Sequence, residues 1–214
     1  MIEKWKRCYA LGEHICIDEA MLNWRGRLNI KVYIKNKPVS HGIKSYVLAD
    51  SKTYYCWNLY VYHKEKRSLK ETVCGLLTPA CFGLWHSLYM DNFYNSVALS
   101  EALLEKKVHT VGTLRGNRGE PPELKRRSAM AQHDVNAMDN GKVVVMAWKD
   151  KRVVKAITTK HDASKCTIHR RKRGGQGQIE AVQKPSAIDD YNKHMSGVDI
   201  LDQMLSYYPC TKKP

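Results

Sequence analysis

The alternation of apolar and polar residues along the chain predicts strands and helices in mixed order. Ile15 to Asp18 is a short apolar run ending in an acid. Gly42 to Asp50 (GIKSYVLAD) and Tyr54 to Tyr62 (YYCWNLYVY) are rich in β-branched and aromatic residues, which suit a pleated, half-buried surface. Ser51-Lys52 between them predicts a tight turn. Ser68 to Leu77 reads as a helix, because Ser68 and Glu71 have the spacing of a capping box. His86 to Asp91 (HSLYMD) predicts another strand closed by an acid. Ser96 to Lys107 sets Val97, Leu99, Leu103 and Leu104 at helical spacing, with basic residues in the last turn to offset the helix dipole. Val108 to Leu114 follows as a strand. The order β-β-β-α-β-α-β predicts an α/β fold, a mixed sheet with flanking helices.

The pattern then changes twice. From Arg118 to Lys184 the chain carries 16 Lys and Arg against 7 Asp and Glu. Val143 to Trp148 and Arg152 to Thr158 predict a hairpin across Lys149-Asp150-Lys151. His169 to Gln178, basic and then glycine-rich, predicts a loop. This region reads as a β-rich basic insertion. From Pro185 to Tyr208 helical character returns. Pro185-Ser186 can open a helix, Asp189 and Asp190 suit its first turn, and Gly197 interrupts it. Val198, Leu201, Met204 and Leu205 then share a face, and Pro209 stops the run. The expected organisation is residues 1–117 as the first part of a core, 118–184 as the insertion and 185–214 as the final helical part of the core.

A hydrophobic content of 43% supports a packed core. No apolar run approaches the ~18 to 20 residues that span a bilayer, and the first 18 residues lack the apolar stretch of a secretory signal. The net charge of +15 selects a polyanionic partner, and without a basic amphipathic helix or lipidation motif that partner is nucleic acid rather than a membrane. No small-molecule cofactor is expected. The seven cysteines are scattered and form no CxxC pair, which argues against a disulfide framework and a zinc ribbon and fits a reducing compartment. His161, Cys166 and His169 are ligand types, but their spacing fits no common zinc module.

Asp18 and Asp91 each close an apolar strand, and Asp199 and Asp202, three apart, share one helix face. If that helix packs beside the strand ends, the carboxylates converge and repel one another unless divalent cations bind; hard oxygen ligands suit Mg²⁺ or Mn²⁺. Two ions about 4 Å apart would suit in-line phosphoryl displacement. Taken singly, Asp18 or Asp91 reads first as a turn former or helix cap, and Asp199 and Asp202 as a solvated helix face or a partner of the helix dipole; spacing alone marks the site weakly.

The words around these acids carry more. ICIDEAMLNWRGR, YIKNKPVSHGIKSYVLAD, LYMDNFYNSVALSEALLEK, TVGTLRGNRGEPPE and YNKHMSGVDILDQM resemble, in order and over most of residues 8–208, consecutive signature segments of piggyBac-family transposases and their domesticated descendants. The resemblance implies an RNase H-like, retroviral integrase-like core interrupted by the basic insertion. It implies Asp18 as the first catalytic acid, Asp91 as the second and Asp199 as the third, these three holding Mg²⁺ or Mn²⁺ as two ions, with Asp202 as an additional acid near the site. It further implies nicking of DNA ends, attack of the freed 3′-hydroxyl to form a hairpin, and joining at TTAA targets. Arg115 and Arg118 in TLRGNRGE match positions that hold double-stranded DNA, and such phosphate contacts give affinity more than sequence preference. Arg25 and Arg27, with Lys35 and Lys37, are further basic candidates for DNA contact. Trp24, Trp57, Trp85 and Trp148 are expected in the core, and Tyr191 and Asn192 are expected to fix the last helix.

The family's helical stretch and cysteine-rich zinc domain would lie beyond Pro214, and its dimerisation and DNA-binding segment before Met1; Leu11 replaces a proline common in the family. The expectation is a core truncated at both ends, with homodimer formation through segments absent here, acting in the nucleus. Two functions are expected from this: a metal-dependent DNA nuclease and strand transferase or, alternatively, a domesticated, catalytically inactive DNA-binding protein derived from a transposase. The acids favour the first and the absent flanks the second.

Overall fold

The computed structural model describes residues 2–35, 40–125, 130–171 and 178–207. The elements run α1 (Ile2–Cys8), β1 (His14–Asn23), β2 (Lys31–Tyr33), β3 (His41–Asp50), β4 (Cys56–Val61), α2 (Leu69–Leu77), β5 (Ser87–Met90), α3 (Val97–Leu104), β6 (His109–Thr113), β7 (Val135–Asp139), β8 (Val144–Lys149), β9 (Val153–Thr158), β10 (Lys165–Arg171), β11 (Ile179–Pro185), α4 (Ser186–His194) and α5 (Gly197–Ser206). The chain forms two compact units, Met1–Tyr89 with His194–Pro214, and Met90–Lys193. Lys37, Pro209 and the Lys172–Gly177 part of the expected basic loop lie outside the described residues.

In the first unit the strand order is β2-β3-β1-β5, with β4 also on β3. β3 is the template. It pairs antiparallel with β1 from Ile15 opposite Asp50 to Asn23 opposite Gly42. Along its other edge its first residues pair with β2 and its later ones with β4. This corrects the expectation that Asp18 closes a strand. Asp18 lies in the middle of β1, because Glu19 to Asn23 remain paired to Tyr46 through Gly42.

The turn after β3 forms as expected, and the Asp50 carboxylate holds it. Its Oδ1 accepts from the Lys52 and Thr53 N–H groups and its Oδ2 from Gly12 N–H, all at 2.9 Å. Tyr54, at φ 62°, donates its N–H to the Asp50 carbonyl. The capping box of α2 is also present. Ser68 Oγ accepts from Glu71 N–H, and Glu71 Oε2 accepts from Ser68 N–H at 2.8 Å. α2 then buries Val73, Leu76 and Leu77, and Asn58 of β4 donates to the Leu76 carbonyl. α5 packs across β1 at Gly197, where an added Cβ would come within 2.6 Å of Cys16 Sγ.

The second unit is built on the antiparallel order β6-β9-β8-β7, and the expected hairpin is β8–β9, running from Val144 opposite Thr158 to Lys149 opposite Val153. Leu114, Leu124, Val143, Val145, Ala147 and Ile157 form one buried apolar cluster in it. β10 and β11 make a separate ribbon, in which Arg170 donates to Glu180 and to Asp150 at the β8–β9 turn. His169 to Arg171 therefore belong to a strand rather than to the expected loop. Helix α3 is capped by Ser96, which accepts from Leu99 N–H. It stops at Leu104, short of the expected Lys107, because Lys107 turns at φ 56°.

Trp57 and Trp148 are buried as expected, but Trp24 is 42% and Trp85 48% exposed. Trp24 follows the last paired residue of β1, and Trp85, at φ 58°, sits in the turn before β5, so neither has a sheet face to cover it.

Asp50→Asn replaces one accepting oxygen with an NH₂ facing a backbone N–H and should lose about 1–3 kcal/mol at neutral pH in urea unfolding. Burial pushes the Asp50 carboxyl pKa up, but the N–H groups of Thr53, Gly12 and Lys52 outweigh it and hold it below the ordinary 3.8. The folded pKa is thus depressed. Its stabilisation is complete above the unfolded value and lost as pH falls through the folded one, so the wild-type and variant stability curves should converge in acid.

Candidate functional site

In the second unit, Asp91 follows β5 and opens a turn. Its Oδ1 accepts from Phe93 N–H at 2.8 Å and its carbonyl from Asn95 N–H. The buried Asn95 side chain donates to the carbonyls of Met90 at 2.8 Å and Thr113 at 3.1 Å, tying the turn to β6. Gly112 makes this approach possible, since a Cβ there would lie 2.0 Å from the Met90 carbonyl oxygen and 2.3 Å from Asn95 Nδ2.

The TLRGNRGE loop lies beside the Asp91 turn. Arg115 Nε donates to Asn92 Oδ1 at 2.8 Å, and its guanidinium sits 5.7 Å from the Phe93 ring centre. Arg118 donates its N–H to the Arg115 carbonyl, and its own carbonyl accepts from Val97 N–H at the start of α3. Gly119, at φ +91°, lets the loop approach Val97. A groove of about 350 Å³ runs between Asn92, Arg115, Gly116, Val153 and Lys155. Arg115 is exposed and Arg118 half-buried. Beneath the loop, the side chains of Glu120 and Lys155 form a buried ion pair.

In the first unit, Asp18 is half-buried and pairs opposite Val47; its Oδ1 accepts from Glu19 N–H at 2.8 Å. Asp199 is exposed in the first turn of α5, where a negative charge complements the helix dipole. Asp202, one turn on, accepts from Met21 N–H of β1 at 3.2 Å. α5 thus meets β1 at Cys16 through Gly197 and at Met21 through Asp202, two contacts that flank Asp18. The unit brings Asp18, Asp199 and Asp202 onto two packed elements. Asp91 belongs to the second unit and is held there by β6 and the arginine loop.

Arg25 and Arg27 follow β1 and are exposed. Tyr191 and Asn192 lie on α4. The residues that sequence reasoning missed are Asn92, Asn95, Gly112, Glu120 and Lys155. Asn92 and Asn95 stand inside the MDNFYN word and Glu120 inside TLRGNRGE, so the words flagged the segments. Nothing in residue type alone marks which polar side chain turns inward.

The acids offer only oxygen donors, the set that hard divalent cations prefer. Asp18 is half-buried within a strand, where its carboxylate accepts the Glu19 N–H.

The chain matches the structure titled cryo-EM structure of piggyBac transposase synaptic complex with hairpin DNA over 100% of its length, with a TM-score of 0.83 and 29% identity, covering 44% of that chain. The fold is therefore the RNase H-like α/β fold of a transposase core. A family model described as transposase IS4 matches residues 1–214, so the chain belongs to that transposase family and is of piggyBac type. In Homo sapiens, piggyBac transposable element-derived protein 3 is 28% identical over 210 residues, 91% of this chain and 35% of that protein. PiggyBac transposable element-derived protein 2, also of Homo sapiens, is 25% identical over 214 residues, 92% of this chain and 36% of that protein. The chain thus spans about a third of the length of these relatives. Membership of a DDE transposase family implies use of a divalent metal.

Asn95→Ala removes both side-chain links between the Asp91 turn and β6 and leaves the buried Met90 carbonyl and the half-buried Thr113 carbonyl short of a donor. It should lower the unfolding free energy by about 2 kcal/mol, read from the urea midpoint at unchanged slope.

Proposed function

We propose that this chain is the metal-dependent catalytic core of a DNA transposase, cleaving DNA phosphodiesters and transferring the freed 3′-hydroxyl ends. One observation carries the reading. The signature acids sit on built elements, Asp18 beneath the α5 latch and Asp91 in a turn fixed to β6, and not on loose loops. In this reading Asp18, Asp91 and Asp199 hold Mg²⁺ or Mn²⁺, as two ions. When bound, the metal would activate the attacking water or hydroxyl and stabilise the leaving oxygen.

The chain's own residues supply the rest. Asp202 positions α5 against β1 and so sets where Asp199 lies relative to Asp18. Arg115, already oriented by Asn92, and Arg118 hold phosphates beside the Asp91 turn, with Arg25 and Arg27 as further contacts. Double-stranded DNA as the partner is supported by the DNA-bound structural relative and by the +15 charge. Hairpin intermediates, TTAA targets, homodimer formation and residence in the nucleus belong to the same reading.

A second reading has its own support. The relatives from Homo sapiens are named as element-derived, and the chain spans about a third of them. A domesticated protein could keep the DNA-holding surface without cleavage.

Incubation of the purified chain with end-labelled duplex and hairpin oligonucleotides separates the two. The first reading expects nicking that requires Mg²⁺ or Mn²⁺ and falls by about three orders of magnitude in Asp18→Asn and in Asp91→Asn. Cleavage that survives both substitutions or proceeds in chelator sinks it. Duplex binding that weakens steeply with salt, with no cleavage in either metal, selects the second.

A further inference from the structure

The buried charges beneath the arginine loop have no part in the reading so far. The Glu120 and Lys155 side chains are 1% and 7% exposed and pair with each other. Glu120 Oε1 and Lys155 Nζ have no other polar partner among the described residues. A buried ion pair is seldom the most stable filling for a site, and apolar residues of similar volume usually serve as well or better. The neighbouring core is of that apolar kind, with Leu114, Val143, Val145, Ala147 and Ile157. Stability alone is a weak reason for two charges here.

Geometry supplies a stronger one. The loop runs from Leu114 to Glu120, and both of its ends are held by Lys155. The Lys155 carbonyl accepts from Leu114 N–H at 3.0 Å, while its ammonium pairs with Glu120. The loop backbone lies directly over the pair: a Cβ on Gly116 would stand 2.8 Å from Glu120 Oε2 and 3.2 Å from Lys155 Nζ. Arg115 and Arg118 lie on this closed loop, and Arg115 reaches on to Asn92 beside Asp91.

We propose that Glu120 and Lys155 form a buried clamp that fixes the Arg115–Arg118 loop and, through Asn92, its register with the Asp91 turn. They are positioning residues that touch no substrate themselves. The link to DNA rests on the proposed function; the clamping of the loop does not.

The test uses the whole chain carrying Glu120→Leu with Lys155→Met, a volume-matched apolar pair that should preserve folding. Glu120→Gln, which keeps the shape and drops the charge, is the second variant should the double one not fold. Amide exchange is measured at Arg118, whose N–H bonds the Arg115 carbonyl. Duplex affinity is measured with and without Arg115→Ala in each background. The expected result is an unchanged cooperative melt and Arg118 exchange faster by about tenfold or more. Arg115→Ala should weaken DNA binding about tenfold in the parent but less than about twofold in the clamp variant, because the guanidinium is already misplaced. Unchanged Arg118 protection in a folded variant overturns the clamp, as does an Arg115→Ala effect of equal size in both backgrounds. If the parent binds no duplex, the transposase-core reading fails on that result, while Arg118 exchange still decides the clamp.

Discussion

Backbone N–H groups aimed at carboxylates set much of this molecule's geometry. A carboxylate withdrawn from water must be repaid by donors, and a donor fixed in the main chain fixes the carboxylate in turn. Asp50 takes three such N–H groups and closes the turn between β3 and β4. Asp91 takes that of Phe93 and bends the chain after β5. Asp18 takes that of Glu19, and Asp202 that of Met21, which seats α5 on β1. The same physics therefore yields a structural acid at Asp50 and candidate chemical acids at Asp18 and Asp91. Asp50 differs in that its three donors come from the β3–β4 turn and from Gly12 and close that turn as a unit.

Two glycines show the complementary constraint. Gly197 lets α5 approach Cys16, and Gly112 lets β6 approach the Met90 carbonyl and Asn95. Each stands where a side chain would push a neighbouring element away from a segment that carries an acid, Asp18 on β1 and Asp91 in the turn after β5. At Gly112 an added Cβ would strike backbone, which has little freedom to give way. Function in this fold would be lost through steric change at such positions as readily as through loss of a carboxylate.

The sequence was legible where local chemistry decides the outcome. The capping box at Ser68 and Glu71, the Ser51-Lys52 turn and the β8–β9 hairpin all follow from short-range spacing, and all are present. It was less legible where a distant partner decides. β1 runs past Asp18 because β3 offers a long edge to pair with, and no pattern within β1 announces that. Trp24 and Trp85 look like core residues by type, yet they lie outside the strands and stay 42% and 48% exposed. Asn95 and the Glu120–Lys155 pair are polar residues turned inward, and residue type cannot distinguish these from a solvated surface. The words carrying the acids were readable as a family signature, but the anchoring of each acid by a particular N–H group was not.

The chain's charge and its acids answer different physical demands. Its surplus of 15 positive charges suits a polyanion at long range, whereas the aspartates would repel the same polyanion if nothing neutralised them. A protein that only held DNA would gain affinity by losing these carboxylates. Here Arg115 is directed to Asn92, one residue from Asp91, and it also lies near the Phe93 ring. The acid and the arginine are thus held side by side on separate supports. That arrangement favours a site in which the arginine meets phosphate and the carboxylate meets a cation, and it is why the catalytic reading ranks above the binding one.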